Sequence, residues 1–176
     1  AAGLLSAYQA YGIDAFWEAA KRYGDFLLWY AQQTHRIYTN EQTRESGWLL
    51  GDYWDPDGNQ PVHTSLNHQV TECLALYHAA DLLNRKDLRE LADRMLLAIE
   101  DTGSGWVMPN HNLYYSIKPD GTYVEGDYPY LTYNDLYYLR EYLTGVNRTE
   151  TDTLTYLMGE KLQWMQRHGV TGYEKS

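Results

Sequence analysis

The segment His63-Thr64-Ser65-Leu66-Asn67-His68-Gln69 sets two imidazoles and a carboxamide close together in the chain. An imidazole is the side chain whose ordinary pKa best suits proton transfer near neutral pH. His68 is therefore a candidate acid or base, and Asn67 a candidate partner for a ligand carboxyl group. The plainer reading is a helix cap followed by solvated polar residues. His63 and His68 lie five positions apart, with no carboxylate at ligand spacing beside them, so neither a metal nor any other cofactor is expected.

A second group, Gly126-Asp127-Tyr128-Pro129-Tyr130-Leu131-Thr132-Tyr133-Asn134-Asp135, crowds carboxylates and phenols at the mouth of a predicted helix. A phenol is a poor base at its ordinary pKa, but a neighbouring cation or hydrogen bonds to the phenolate can activate it. Tyr128 and Asp127 are the candidates here, and the alternative is an aromatic-rich structural loop. A third group, Asp101-Thr102-Gly103-Ser104-Gly105-Trp106, reads first as a helix stop, with Gly103 able to turn left-handed and Gly105 admitting close backbone approach. The long connections carry Glu45, Asp52, Asp55, Asp57, Asp120, Glu125 and Asp127. A glycoside hydrolase needs two such carboxylates facing each other across a sugar, for instance Asp52 and Asp127. Asp57 and Asp120 sit in Pro-Asp-Gly turns and read as structural. Cys73 lies on an apolar helix face and reads as core.

These groups need elements to position them. Apolar residues at helical spacing predict the end of a helix over 3–11, then helices over 14–34 behind an Asp14 cap, 65–83 behind Thr64 or Ser65, 86–100 behind Asn84, 134–144, and 150–167 behind a Thr149-to-Asp152 capping pattern. Short links at Gly12–Ile13, Asn84–Arg85 and Gly145–Arg148 join them in pairs. The other two connections, about 35–63 and 101–131, are long. Each holds a Pro-Asp-Gly turn that predicts a small β-hairpin, one around Tyr53 to Gly58 and one from Tyr114 to Tyr123. Ser46-Gly47-Trp48 recurs as Ser104-Gly105-Trp106, which marks an internal repeat. The expected fold is all-α, with about three antiparallel αα-hairpins stacked as part of an (α/α) toroid or solenoid and small β-hairpins on one rim. Residues 1–176 are expected to form a single repeat domain cut from a larger chain, because both ends fall inside the pattern.

Composition narrows the partner. The chain has 176 residues and a net charge of −10, which disfavours nucleic acid and anionic membranes. No run is long and apolar enough for a membrane span. One cysteine excludes an internal disulfide framework. The 18 tyrosines stand against 2 phenylalanines. Tyrosine joins a flat apolar face to a hydroxyl and suits wet clefts that bind polar rings. Tyr53, Tyr114, Tyr115, Tyr123, Tyr128, Tyr130 and Tyr133 all fall on or beside the long loops. Tyr53, Tyr114 and Tyr130, with Trp48, Trp106 and His111, are the candidate substrate-binding side chains. The expected ligand is polar and ring-shaped, with the rest of the parent chain or a second copy as further contacts.

Ser65-Leu66-Asn67, then Leu74-Ala75-Leu76-Tyr77, then Asp101-Thr102-Gly103-Ser104-Gly105, and finally Asp127-Tyr128 ahead of Asn134 and Leu136 form a series. Over about residues 60–145 it resembles the C-terminal helical domain of D-glucuronyl C5-epimerases, which act on heparan- or heparosan-type polysaccharides. The resemblance implies an isomerase that removes and returns the C5 proton of a uronic acid. Tyr128 would carry one proton, with Asn67 or His68 near the carboxylate. Such a substrate favours an extracellular or periplasmic location. The chain departs from the family pattern where Met108 replaces a tyrosine, where Asn110 and His111 stand without an arginine, and where Pro129 and Thr132 replace histidines. Tyr114 or Tyr115 is a candidate substitute for the missing phenol. The alternatives are a polysaccharide lyase using Asn67, His68 and Tyr128, a glycoside hydrolase, and a non-catalytic glycan-binding solenoid. A deep pocket holding Tyr128 and His68 favours an enzyme, and a flat aromatic face favours a binder.

Overall fold

The computed structural model of the chain describes residues 2–40, 44–58 and 62–174. Helices α1 (Ala2–Tyr11) and α2 (Asp14–Thr34) come first, followed by strands β1 (Arg36–Thr39), β2 (Ser46–Leu49) and β3 (Thr64–Ser65). Helices α3 (Leu66–Leu83) and α4 (Lys86–Thr102) follow, then a 3₁₀ turn over Gly103–Trp106. Strands β4 (Ser116–Ile117) and β5 (Tyr123–Val124) precede helices α5 (Leu131–Gly145) and α6 (Asp152–Arg167). None of the described helices is long and apolar enough to cross a membrane.

The helices form where apolar residues recur every three or four positions, because that spacing puts them on one face. In α4 the buried stripe is Leu88, Leu91, Ala92, Met95, Leu96, Ala98 and Ile99. In α6 it is Leu154, Leu157, Met158, Lys161 and Met165. α1 contacts α2, α3 contacts α4, and α5 contacts α6; α3 also touches α1, α2 and α5. The core therefore centres on α3, where Leu66, Val70, Cys73, Leu76 and Tyr77 are all fully buried.

Two features correct the expected class. The fold is mixed α and β, not all-α, and the expectation of a toroid or solenoid is corrected with it. Strands β1 and β2 pair antiparallel, with Ile37 opposite Trp48. Strands β3, β4 and β5 form a second antiparallel sheet in that order. This sheet draws β3 from the first long connection and β4 and β5 from the second, so it ties the connections together and is more than a hairpin riding on a helix. The first hairpin is also displaced. Asp55 to Gly58 forms a turn, with Gly58 N–H donating to Asp55 O at 3.1 Å, and no described residue beside it is in a strand. The strands lie upstream because Gly47 lets β2 sit on the α4 backbone: a Cβ there would lie 2.2 Å from Ala98 N. The second hairpin falls where expected, with Ser116 opposite Val124.

The caps differ too. Asn84 ends α3 in the left-handed region at φ 52° instead of starting α4, and Ile13, Arg85 and Thr151 occupy cap positions without side-chain hydrogen bonds. The repeated Ser-Gly-Trp adopts two structures, a strand at 46–48 and a 3₁₀ turn at 104–106. Gly103 stops α4 at φ 34°, and a Cβ on Gly105 would lie 2.5 Å from the Tyr123 hydroxyl. Gly47→Ala should be destabilising by about 1–3 kcal/mol or more, because backbone cannot move aside as a side chain can. Equilibrium unfolding in urea measures this directly.

Candidate functional site

Asp52 lies just past β2, and its side chain is only 6% exposed. Its N–H donates to His63 O at 2.9 Å, and its Oδ1 accepts from Ser65 N at 2.7 Å. Ser65 is the residue before α3, so the carboxylate sits at that helix's positive end. Its other oxygen, Oδ2, lies 3.1 Å from His63 Nε2 and 3.3 Å from His68 Nδ1. One carboxylate thus faces two imidazoles. Burial pushes its pKa up, but His68 and the Ser65 N–H outweigh burial and hold it below the ordinary carboxylate value. Asp52 in turn raises the pKa of His68 against the opposing effect of burial.

The geometry also selects tautomers. A ring nitrogen about 3 Å from an ionised oxygen is favoured as N–H over a lone pair. His68 then carries hydrogen on Nδ1 and leaves Nε2 available as a base. Its side chain is 50% exposed, so half of the imidazole surface is open to solvent.

Two more carboxyl groups crowd His68. Glu72 lies one helical turn further along α3, where burial, with Asp52's charge adding to it, raises its pKa to about 7. Asp135 on α5 is raised to about 6, mainly by burial. Tyr30 donates its hydroxyl to Gly51 O at 2.5 Å, and burial together with Glu72 and Asp52 raises its pKa.

Aromatic rings extend the cluster to the surface. The Tyr53 ring meets His63 edge-on at 5.8 Å, and Tyr115 lies 5.8 Å from the other end of that contact. Tyr128 meets Tyr115 edge-on at 5.9 Å. Tyr53 and Tyr128 are 45% and 43% exposed. Tyr115 is fixed by its backbone, which donates to Val124 O and accepts from Leu66 N. A cavity of about 370 Å³ opens beside His63, lined also by Lys118, Pro119 and Asp120.

The structure thus joins His68, Tyr128 and Tyr53 and separates the other candidates from them. Asp127 is buried in an ion pair with Lys161 at 2.5 Å, and accepts from Thr132 Oγ1. The Lys161 ammonium also donates to Asn112 Oδ1 at 2.6 Å and Tyr128 O at 2.7 Å. Its three protons are therefore used, and Asp127 is a clamp under Tyr128 instead of a free acid or base. Asn67 is 6% exposed, and its Oδ1 is buried without a partner. Trp106 is fully buried and donates to Thr102 Oγ1, so no ring can stack on it. Trp48 stacks with His35 at 3.8 Å and lies under Arg94. Tyr114 packs on Tyr123, His111 pairs with Glu160 at 2.6 Å, and the Tyr130 ring lies beside Gly172.

Sequence reasoning missed Asp52 as the centre, and missed Glu72, Asp135 and Lys161. Glu72 was legible as the i+4 neighbour of His68 on one helix face. Lys161 was legible as a cation on the apolar stripe of α6. Among the described residues, no group of three or more histidine, cysteine, aspartate or glutamate side chains is arranged to hold a metal ion. Comparison of the chain with protein-family models and with curated protein sequences returns no match.

Two outcomes follow from this geometry. A carboxyl whose folded pKa is raised makes the fold less stable as pH climbs from its unfolded value through its folded one. Glu72→Gln should therefore leave the melting temperature nearly unchanged at about pH 5 and raise it at about pH 8.5 by on the order of 2–4 °C. Thermal denaturation at both pH values tests this. Lys161→Met leaves Asp127 buried and unpaired, and should be destabilising by about 3–5 kcal/mol in chemical denaturation.

Proposed function

We propose that this chain carries a carbohydrate-active site that moves a proton at C5 of uronic-acid residues in a polysaccharide, as the C5-epimerases that its motifs resemble do. The observation that carries the reading is Asp52 facing both His63 and His68 beside the linked phenols Tyr115 and Tyr128. A carboxylate behind an imidazole orients it and stabilises the imidazolium that forms when it takes a proton. His68 Nε2 then removes the C5 proton, and the C5–H electron pair moves into the sugar carboxylate as an enediolate. Tyr128 O–H supplies a proton to C5, forming the new C–H bond. The phenolate regains a proton from solvent and His68 loses one to it, so no net proton is consumed.

Two neighbours support the reading. Asp52 raises the pKa of His68, which brings its titration closer to neutral pH. The Lys161 clamp holds the Tyr128 backbone, which keeps a solvent-facing phenol in one place. Elimination is the second reading, because it shares the first step and differs only in the expulsion of the 4-oxygen. A hydrolase pair of Asp52 and Asp127 is disfavoured, since both carboxylates are committed to internal partners.

The test is incubation of the chain with a heparosan-type polysaccharide in deuterium oxide. Deuterium at C5, without an unsaturated ultraviolet-absorbing product, is the expected result. His68→Ala and Tyr128→Phe should each slow the exchange by roughly 100- to 10,000-fold, and Tyr128→Phe should do so with little change in melting temperature. An unsaturated product would move the assignment to elimination. No deuterium and no unsaturated product would remove the proton-transfer reading.

A further inference from the structure

Removing a proton next to a carboxylate builds a second negative charge on that group, so a site for this reaction needs a cation or strong donors at the carboxylate. Asn67, the sequence candidate for that part, is buried and is not among the residues that line the cavity beside His63. The cations near the site divide sharply. Arg36 donates through Nη1 to Lys118 O at 2.6 Å and through Nη2 to Thr64 Oγ1 and Ile117 O. Lys161 is saturated by Asn112, Asp127 and Tyr128. Lys118 is exposed, and its ammonium has no described carboxylate within 4 Å, although its charge helps to hold the pKa of the neighbouring Asp120 down.

The sheet register fixes where Lys118 stands. Strands β3 and β4 are antiparallel, with Ser65 opposite Ser116 and Thr64 opposite Ile117. One step further along the same register sets His63 opposite Lys118. Opposed residues in an antiparallel pair project to the same face with their Cβ atoms about 5 Å apart. The cavity agrees, since His63 and Lys118 line it together. The Lys118 backbone is held firmly: its N–H donates to Thr122 O, and its carbonyl accepts from Gly121 N and Arg36.

We infer that Lys118 is the cation that receives the substrate carboxylate, in the cavity it shares with His63. The inference rests on the uronate reading of the site. Asp120 lines the same cavity and is held in its turn by Thr122 N–H. Its charge disfavours a second anionic group, so the cavity suits a sugar with one carboxylate and otherwise neutral substituents.

The test is calorimetric binding of a uronate-containing oligosaccharide and of the same oligosaccharide with its carboxyl groups reduced to alcohols. The wild-type chain should bind the acidic ligand roughly ten-fold or more tightly than the reduced one. Lys118→Met should bind the two equally, with its melting temperature unchanged, and Lys118→Arg should keep most of the preference. A wild-type chain that does not discriminate, or a Lys118→Met chain that still does, overturns the inference. A preference that Lys118→Met abolishes, in a chain that exchanges no proton at C5, keeps the carboxylate site and removes the proton-transfer chemistry.

Discussion

A carboxylate as buried as Asp52 must either take up a proton or be met by donors. Asp52 is met by the Ser65 N–H on one oxygen and by two imidazoles on the other, while its own N–H holds His63 O. That set of contacts joins the end of β2, strand β3 and the first turn of α3 at one point. Leu66 N–H then donates to Tyr115 O, which brings the second long connection to the same place. The site is thus a by-product of how the two connections are stitched: the sheet that corrects the all-α expectation is the device that sets His63 and Tyr115 side by side.

A second buried charge does matching work from the other side. Lys161 reaches out of α6 and binds Asn112, Asp127 and the Tyr128 carbonyl, one acceptor from before the hairpin and two from after it. Burial opposes its charge and lowers its pKa, and Asp127 counters that only in part. Apolar side chains could fill the volume of this pair, whose exposures are 0% and 1%, without loss of net stability. What the pair adds is direction. The backbone beside Tyr128 has one preferred position, and the phenol projects from it to solvent.

Much of this was legible in the sequence, and the parts that were not share a cause. Helix positions followed from apolar spacing, with α2 bounded as expected and α4 extended by Asp101 and Thr102. The hairpin from Tyr114 to Tyr123 followed from its turn. His68, Tyr128 and Tyr53 stand out in the sequence because their residue types carry chemistry wherever they stand. Asp52 was one loop carboxylate among several, since nothing local to it says that Ser65, His63 and His68 come back to meet it. Trp106 and Asn67 read as ligand-facing because burial is a tertiary fact, and Trp106 is covered by Tyr123 from the far arm of a hairpin. The first hairpin was misplaced because its strands are decided by the close approach of Gly47 to α4, which is likewise a long-range contact.

The central claim is that Asp52 sets the protonation and orientation of His68. Nuclear magnetic resonance titration of the imidazole nitrogens in the wild-type chain and in Asp52→Asn tests it most directly. Neutral His68 should carry hydrogen on Nδ1, with a midpoint above that of an ordinary histidine that falls in Asp52→Asn. The same tautomer and the same midpoint in both proteins would contradict it.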